Sequence, residues 1–311
     1  MASDPQIINF PSELSAVFTG LRAARQDWRT RHNHGVRGIE FPSQRNLARI
    51  MRELGAALFP LRLGPPELNA ANEDRWVEAT LESALSQLAA QLALELRVSQ
   101  PGLDRADEGR EAERIIGMFA ADLPRLRRAL DLDIEAGYAN DPAARSVDEV
   151  LLSYPSLIAI IHHRIAHRLY ELGAPLVARA IAEVAHQKTG IDIHPGARIG
   201  HSFFIDHGTG IVIGETARVG DRVRLYQGVT LGGVPIAPGI ADRTEAGGRR
   251  HPEIGDDVVI FAGAVLLGPI TIGARSLIGG NVWLRHDLPS DSHVEAAPAE
   301  VSSTLVAPGR G

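Results

Sequence analysis

Two histidines in the carboxy-terminal half of the chain stand directly beside charged residues, in Asp-His at 206–207 and in Arg-Arg-His at 249–251. Imidazole titrates near neutral pH, so a histidine held by a carboxylate can accept a proton from an alcohol as the alcohol attacks an acyl carbon. We therefore predict that His207 is a general base and that Asp192 is the carboxylate that orients it. His251 is the second candidate for a functional histidine.

The other histidines give weaker signals. The chain has 12 histidines and no cysteine, which excludes thiolate nucleophiles, disulfides and zinc–thiolate sites. Four histidines fall on predicted helices, where we expect them on the helix surface: His162, His163, His167 and His186. His194 and His201 leave one alternative open, because some proteins with six-residue repeats bind zinc through three histidines and have carbonic anhydrase activity. We expect no metal here.

From Gly190 onwards, aliphatic residues recur at every sixth position in three phased blocks. The blocks are Ile193, Ile199, Ile205 and Ile211; Ile213, Val219, Leu225 and Leu231; and Ile254, Ile260, Leu266, Ile272, Ile278 and Leu284. This period predicts a parallel β-helix, in which each short strand and its corner form one side of a prism and the aliphatic side chains stack inside. A glycine often follows the aliphatic residue, and we expect it to supply backbone conformations that a Cβ would hinder.

The repeat is interrupted twice, and loops that leave a regular prism are where functional groups are expected. The first break is a shift of two residues between Ile211 and Ile213. The second lies between Leu231 and Ile254, where a segment rich in glycine, proline and arginine must leave the prism and return as an extruded loop. Each break carries one of the two histidines that stand beside charge.

The residues before the repeats have helical periodicity. Apolar residues from 76 to 96 and from 115 to 130 recur at spacings of three to five, which predicts two amphipathic helices. Asn140-Asp141-Pro142 interrupts the pattern, and further helices are expected from Pro155 and from about Leu176. Three prolines between 60 and 66 disfavour a continued helix there.

These patterns predict an α+β fold, with an N-terminal all-α domain followed by a parallel β-helix of hexapeptide repeats and an extruded loop. We place the boundaries as an N-terminal extension at 1–66, the α-helical domain at 67–188, the β-helix at 189–288 and a C-terminal tail at 289–311.

Composition narrows the class of protein. The 311 residues are 44% hydrophobic and 23% charged with a formal net charge of -6, so a nucleic-acid partner is not expected. The amino terminus lacks the basic and apolar regions of a signal peptide, and no run approaches the roughly 20 apolar residues of a membrane span. We expect a cytoplasmic protein without membrane contact.

Three stretches carry a family resemblance. They are Thr189-Gly-Ile-Asp-Ile-His-Pro-Gly-Ala-Arg-Ile-Gly200, Asp206-His-Gly-Thr-Gly-Ile-Val-Ile-Gly-Glu-Thr216, and Gln227-Gly-Val-Thr-Leu-Gly-Gly233 followed by Arg250-His-Pro252. In this order they resemble the serine acetyltransferase family over roughly residues 135–285, and they distinguish it from sugar acetyltransferases. The resemblance implies a left-handed β-helix and transfer of acetyl from acetyl-CoA to the hydroxyl of L-serine, the first step of cysteine biosynthesis, without an acyl-enzyme.

The resemblance also assigns roles by position. His207 resembles the general base and Asp192 the carboxylate of its dyad. The substrate-binding set comprises Arg250 and His251 for the carboxylate, Asp141 and Asp206 for the ammonium group, and Glu215 as a further acid. Gly233, Ala262 and Gly280 match positions along the acetyl-CoA groove between subunits. A homotrimer is implied, with a dimer of trimers as the larger alternative.

Several positions depart from the family pattern. The extruded loop is several residues longer than in the compact form, and Leu277 replaces a basic residue near CoA. The chain ends at Gly311 rather than in the isoleucine that docks into O-acetylserine sulfhydrylase, so that complex is not expected.

Three other functions remain open from the sequence. The chain could acetylate another small hydroxylated acceptor, such as homoserine or a sugar, or serve as a non-catalytic scaffold, or act as a zinc-dependent hydratase. A panel of acceptors and a metal analysis would separate these from the serine enzyme.

Overall fold

The computed structural model describes residues 11–32, 40–100, 102–234 and 248–296. Contacts divide the chain after Glu40 into two units. In the first unit, helix α1 spans Pro11–His32 and exposes apolar side chains such as Phe18 and Trp28. The boundaries predicted at 66, 188 and 288 remain predictions, although the helix at 44–58, inside the predicted extension, packs on later helices of the second unit.

The second unit begins with seven helices in its described part. They are α2 Gln44–Leu58, α3 Pro60–Leu63, α4 Glu73–Ser99, α5 Arg105–Asn140, α6 Val147–Ser153, α7 Pro155–Glu171 and α8 Pro175–Thr189. Side chains of Ser43, Asp104 and Ser146 accept backbone N–H groups at the starts of α2, α5 and α6. Gly190, with φ +69°, ends α8 in the left-handed conformation.

The helices differ from the sequence prediction in two ways. The proline-rich segment begins with helix α3, because Pro60 stands at its first position, where the missing N–H costs no hydrogen bond. The prediction that His162 and His163 lie on a helix surface is wrong, since both are buried on α7. Helix α7 is covered by α5, α8 and the first strands, so most of its circumference is core.

Fourteen short strands follow α8 in the described residues. They are β1 Asp192–Ile193, β2 Arg198–Ile199, β3 Phe204–Asp206, β4 Val212–Ile213, β5 Arg218–Val219, β6 Arg224–Tyr226, β7 Thr230–Gly232, β8 Glu253–Ile254, β9 Val259–Ile260, β10 Val265–Leu267, β11 Thr271–Ile272, β12 Leu277–Ile278, β13 Trp283–Leu284 and β14 His293–Val294. They form three parallel sheets, which we name the first (β1-β4-β7-β10-β13), the second (β2-β5-β8-β11) and the third (β3-β6-β9-β12-β14). The predicted α+β fold with a parallel β-helix is confirmed.

The aliphatic residues of the repeat stack inside the prism as predicted. In the first sheet the register partners are Ile193, Ile213, Leu231, Leu266 and Leu284, all buried. Successive partners are 20, 18, 35 and 18 residues apart, so the first coil holds the two extra residues and the third holds the large insertion. Residues 235–247 of the predicted extruded loop lie outside the described residues, as do residues 297–311 of the tail.

The glycines that follow the aliphatic residues have a different role from the one predicted. Their φ angles are not positive; instead, a Cβ on Gly255 would lie 2.6 Å from the backbone nitrogen of Ala274 in the next coil. They are needed because neighbouring coils approach closely. Positive φ angles occur two residues after several of these glycines, as at Arg222 and Asp257, and also at Gly228 and Gly263, where the chain turns from the third sheet to the first.

A buried ion pair joins the helices to the first coil. Arg164 on α7 donates to both oxygens of Asp133 on α5, at 2.5 and 2.7 Å, and to the carbonyl of Gly200 at 2.8 Å. Asp133 also accepts the N–H of Phe203 at 3.0 Å. The pair thereby fixes the corner that leads into β3, the strand that ends at Asp206.

Candidate active site

His207 and the residues predicted to bind substrate, together with side chains that contact them, fall into two clusters on opposite edges of the first sheet. The predicted Asp192 belongs to neither cluster. The edge shared with the third sheet carries what we call the His207 cluster: Asp141, Tyr154, Asp206, His207 and Arg224. The edge shared with the second sheet carries the His251 cluster: Tyr170, Glu215, Thr216, Arg250 and His251. Each cluster lies at one of the two breaks in the repeat.

His207 sits at the tip of the first cluster. It directly follows β3, adopts a left-handed backbone with φ +59°, and its side chain is 77% exposed. Its Nε2 lies 3.8 Å from Oδ1 of Asp206. A left-handed conformation at a residue other than glycine is strained and is often found at functional sites.

Asp141 is held beside His207 as the C-cap of α5. Its Oδ1 accepts the N–H of Ala143 at 2.8 Å, and its Oδ2 accepts the hydroxyl of Tyr154. The hydrogen bond from Tyr154, then that from Ala143, holds the pKa of Asp141 below its usual value, and the same bond raises the pKa of Tyr154 to about 12. Asp141 is therefore an anion at neutral pH and Tyr154 is a neutral donor.

Asp206 is paired with a neighbouring cation. Its Oδ2 accepts Nη2 of Arg224 at 2.6 Å, and the guanidinium of Arg224 also lies over the ring of Tyr226. Arg224 was not predicted from the sequence as a site residue. The register could have indicated it, because β6 pairs with β3 and sets Arg224 opposite Phe204, two residues before Asp206 on the same side of the strand.

Asp192 lies at the start of β1, next to the strand that follows the His207 corner. Its Oδ1 is 3.6 Å from Nη1 of Arg179 on α8. Among the described residues, no ion pair or hydrogen bond joins Asp192 to His207, so the predicted dyad is not assembled in this conformation of the chain.

In the second cluster, Thr216 fixes His251. The Thr216 N–H donates to Nδ1 of His251 at 3.2 Å, and the Thr216 Oγ1 is 2.8 Å from the same nitrogen. Oγ1 also accepts the backbone N–H groups of Arg250 and His251, at 2.8 and 3.1 Å. Nδ1 is thus an acceptor, which leaves the proton of a neutral His251 on Nε2. Burial, and next the charge of Arg250, lower the pKa of His251 and favour this neutral form.

Glu215 holds the side chain of Arg250. Nη2 of Arg250 donates to Oε2 of Glu215 at 2.5 Å, and the Tyr170 hydroxyl donates to Oε1 at 2.8 Å. Burial raises the pKa of Glu215, but the bond from Tyr170 and the nearby charges of His194 and Arg250 outweigh it, so the pKa is lowered overall. Glu215 is an anion that orients a guanidinium.

A cavity of about 550 Å³ opens beside the second cluster. It is lined by Tyr170, Gly196, Arg198, Glu215, Thr216, Ala217, Arg218, Gly248, Arg249 and Arg250. Four of these residues are arginines and one is an acid, so the lining favours an anionic group such as a carboxylate.

The positions predicted to contact CoA are divided in the same way. Gly233 lies on the edge shared with the second sheet, where a Cβ would come 3.6 Å from Nε2 of His251. Ala262 and Gly280 lie on successive coils at the edge shared with the third sheet, and a Cβ on Gly280 would come 3.2 Å from the Ala262 carbonyl oxygen. Among the described residues, no hydrogen bond or ion pair connects the two edges, so one chain presents two half-sites.

The histidines considered for zinc have other surroundings. Nδ1 of His194 accepts the N–H of Gly196 at 3.0 Å, and its ring meets Tyr170 edge-on with centroids 5.8 Å apart. Within the described part of the chain, no group of three or more histidine, aspartate or glutamate side chains could hold a metal ion. None of the helices described there is long and apolar enough to cross a membrane.

Comparisons with known proteins identify related transferases independently of the site geometry. Residues 251–286 match the family model described as bacterial transferase hexapeptide (six repeats). The chain is 46% identical over 289 residues to the plasmid serine acetyltransferase of Synechococcus elongatus, with 91% of each protein covered.

Two solved structures are similar. Serine acetyltransferase 1 of Entamoeba histolytica in complex with L-cysteine matches with a TM-score of 0.68 and 36% identity, covering 78% of this chain and 85% of that one. Soybean serine acetyltransferase complexed with serine matches with a TM-score of 0.53 and 31% identity, covering 82% of this chain and 98% of that one.

Proposed function

The chain belongs to the serine acetyltransferase family, whose reaction it catalyses, and we propose that the two half-sites share that reaction: one supplies the base and binds the serine ammonium group, and the other binds the serine carboxylate. The acetyl donor is acetyl-CoA and the acceptor is the hydroxyl of L-serine. The products are O-acetyl-L-serine and CoA. The observation that carries this proposal is the placement of a base at one edge of the sheet and a guanidinium–imidazole pair at the other.

His207 is the general base. Its neutral imidazole takes the proton of the serine hydroxyl as the oxygen attacks the thioester carbonyl carbon. The tetrahedral intermediate collapses with cleavage of the carbon–sulfur bond, and the protonated imidazole returns its proton to the departing CoA sulfur. No acyl-enzyme is formed, and such proton transfer contributes about 10²- to 10⁴-fold in rate.

Asp192 is proposed as the carboxylate that orients His207 when substrate binds. It stands beside the strand that continues from the His207 corner, and its contact with Arg179 is 3.6 Å long and part-exposed. A contact of this kind is worth about 0–1 kcal/mol, so a side-chain rotation away from Arg179 is inexpensive.

The charged ends of serine are met by opposite half-sites. The carboxylate binds to Arg250, whose position is set by Glu215, and to the Nε2–H of His251. The ammonium group is attracted by Asp141 and Asp206. The soybean relative complexed with serine supports an amino-acid site in this fold.

We propose that the two half-sites of one active site come from neighbouring chains of a homotrimer. Between the two clusters, the outward face of the first sheet exposes Val212 (39%) and Trp283 (61%). A three-fold axis facing this sheet would bring the His207 edge of one chain against the His251 edge of the next, in a closed ring. Acetyl-CoA would then lie between chains, with Ala262 and Gly280 on one side and Gly233 on the other.

The direct test is CoA release from acetyl-CoA with L-serine, in the wild type and in His207→Ala. We expect the variant to lose about 10²- to 10⁴-fold in kcat, while His286→Ala, which changes an exposed histidine outside both clusters, stays at the wild-type rate. Full activity of His207→Ala would contradict the assignment of the base. Homoserine and sugar acceptors in the same assay test the alternative acceptors, because unpaired buried charges would reject a sugar.

A further inference from the structure

Arg224 is held in an unusual position for a surface strand. It occupies the outward side of β6, opposite Phe204 of β3, with only 20% of its side chain exposed. The guanidinium carbon lies 5.4 Å from the ring centroid of Phe204 and 4.6 Å from that of Tyr226. Stacking on aromatic faces restricts a guanidinium and strengthens its interaction with a nearby anion.

The stacked guanidinium forms a row with the base. Nη2 of Arg224 binds Oδ2 of Asp206 at 2.6 Å, and Oδ1 of the same carboxylate lies 3.8 Å from Nε2 of His207. Because one oxygen is fixed by Arg224, the other is turned to the imidazole. The order along the row is cation, anion, base.

Arg224 also has a cost that its folding role does not explain. Its Nε is buried and has no hydrogen-bond partner among the described residues. A buried donor left without a partner costs roughly 1–3 kcal/mol. A shorter polar residue at this outward position would avoid the cost, so the guanidinium is retained for its contact with Asp206.

The charged and titratable groups facing His207 are few. Asp206 comes from β3, Arg224 and Tyr226 from β6, Asp141 from the end of α5, and Tyr154 from the start of α7. Two carboxylates therefore face the imidazole in this conformation, Asp192 is the third once it turns to His207 as proposed, and Arg224 is the cation that pairs with Asp206.

We propose that Arg224 is a positioning residue for the general base: it fixes the Asp206 carboxylate beside His207 and offsets part of its charge, while Asp192 is the carboxylate that orients the ring. This inference rests on the proposed function, in which His207 is the base. Without Arg224, the Asp206 carboxylate would act on the imidazolium alone and stabilise it.

The test compares Arg224→Gln with Arg222→Gln, a matched change at an exposed arginine that pairs with Asp257 away from the cluster. The first readout is kcat/KM for serine against pH. We expect Arg224→Gln to raise the midpoint of the acidic limb by about half a pH unit or more and to lower kcat about tenfold at neutral pH. The KM for acetyl-CoA should not change. Arg224→Lys, which keeps the charge without the fork, should restore the midpoint in part.

The second readout does not need turnover. Diethylpyrocarbonate modifies neutral imidazole, so the pH dependence of labelling at His207, measured by mass spectrometry, should shift upward in Arg224→Gln and not in Arg222→Gln. Equal profiles in the two variants, or a loss of thermal stability and rate in Arg224→Gln without a shift, would overturn the proposal. A wild type that releases no CoA would instead refute the proposed function, whereas CoA release by the wild type with equal labelling profiles in the two variants would refute only the role of Arg224.

Discussion

At the scale of single residues, the second half-site depends on how tightly His251 is held. Its ring is pinned by Thr216 on one side and lies flat against the backbone of Gly214 on the other. A Cβ built on Gly214 would overlap the ring. The φ of Gly214 is not positive, so its glycine is required by the approach of the imidazole and not by the backbone.

Gly214→Ala should therefore damage substrate binding more than folding. The added methyl would displace the His251 ring and its Nε2–H, and we expect the KM for serine to rise about tenfold to 100-fold. Steady-state kinetics with varied serine, together with a thermal melt, measure the two effects. Gly117→Ala, on α5 where a Cβ meets nothing within 4 Å, is the control: the KM for serine should not change, while the helix gains about 0.5–1 kcal/mol of stability. An unchanged KM for Gly214→Ala would contradict the role of His251.

The sequence indicated the proposed reactive residues but not the residues that the structure places against them. Histidine beside charge at a break in the repeat was enough to single out His207 and His251. Tyr170 and Tyr154 come from helices distant in sequence, and no local spacing connects a helix residue to a coil corner. Thr216 directly follows the predicted Glu215 in the sequence. It could not be predicted as a site residue, because a hydroxyl that accepts backbone N–H groups has no distinctive sequence pattern.

At the scale of elements, the six-residue period predicted the strands reliably, whereas the sequence did not predict which histidines of α7 are buried. A six-residue period specifies both strand and corner, so each aliphatic position of the β-helix was predicted with its direction. A helix with apolar residues on most sides gives no such direction. His162 and His163 were therefore expected on the surface of α7 and are buried in the structure.

Burial of His162 makes the helical region sensitive to acid. Its Nδ1 lies 2.7 Å from the carbonyl of Ile158, its Nε2 has no partner among the described residues, and burial lowers its pKa to about 4. The pKa of this histidine is lower in the folded state than in the unfolded state, where it is near 6.5, so the fold is stabilised when the imidazole is neutral. That contribution is fully present above pH 6.5 and is lost as the pH falls towards 4.

We expect His162→Asn to reduce that sensitivity. The asparagine amide can replace the Nδ1–H donor to Ile158 and does not titrate. Between about pH 7 and about pH 5 the wild type should lose about 2 kcal/mol more of its free energy of unfolding than the variant. Urea unfolding at both pH values measures the difference. Equal losses would show that His162 does not charge on unfolding in this range.

At the scale of the whole molecule, the proposed division of the site between two edges of one sheet would make activity a property of the assembly. A single chain carries every predicted residue, yet the base and the guanidinium–imidazole pair stand on opposite edges of the first sheet. The sequence placed these residues at two breaks in the repeat. The sequence alone could not show that the two breaks in the repeat lie at different corners of the prism, because that placement depends on the number of prism sides between the breaks.

Mixed assemblies test this division. His207→Ala and Arg250→Ala chains, each inactive alone, should regain about a third of wild-type activity in mixed trimers, because either mixed composition leaves one of the three sites with both half-sites intact. His207→Ala coexpressed with Asp141→Ala is the control: both changes damage the same half-site, so no intact site can form and no activity should return. Tandem affinity tags select mixed assemblies, and CoA release measures them. If the first pair also stays inactive in a confirmed mixed assembly, the site lies within one chain and the proposed trimer geometry is wrong.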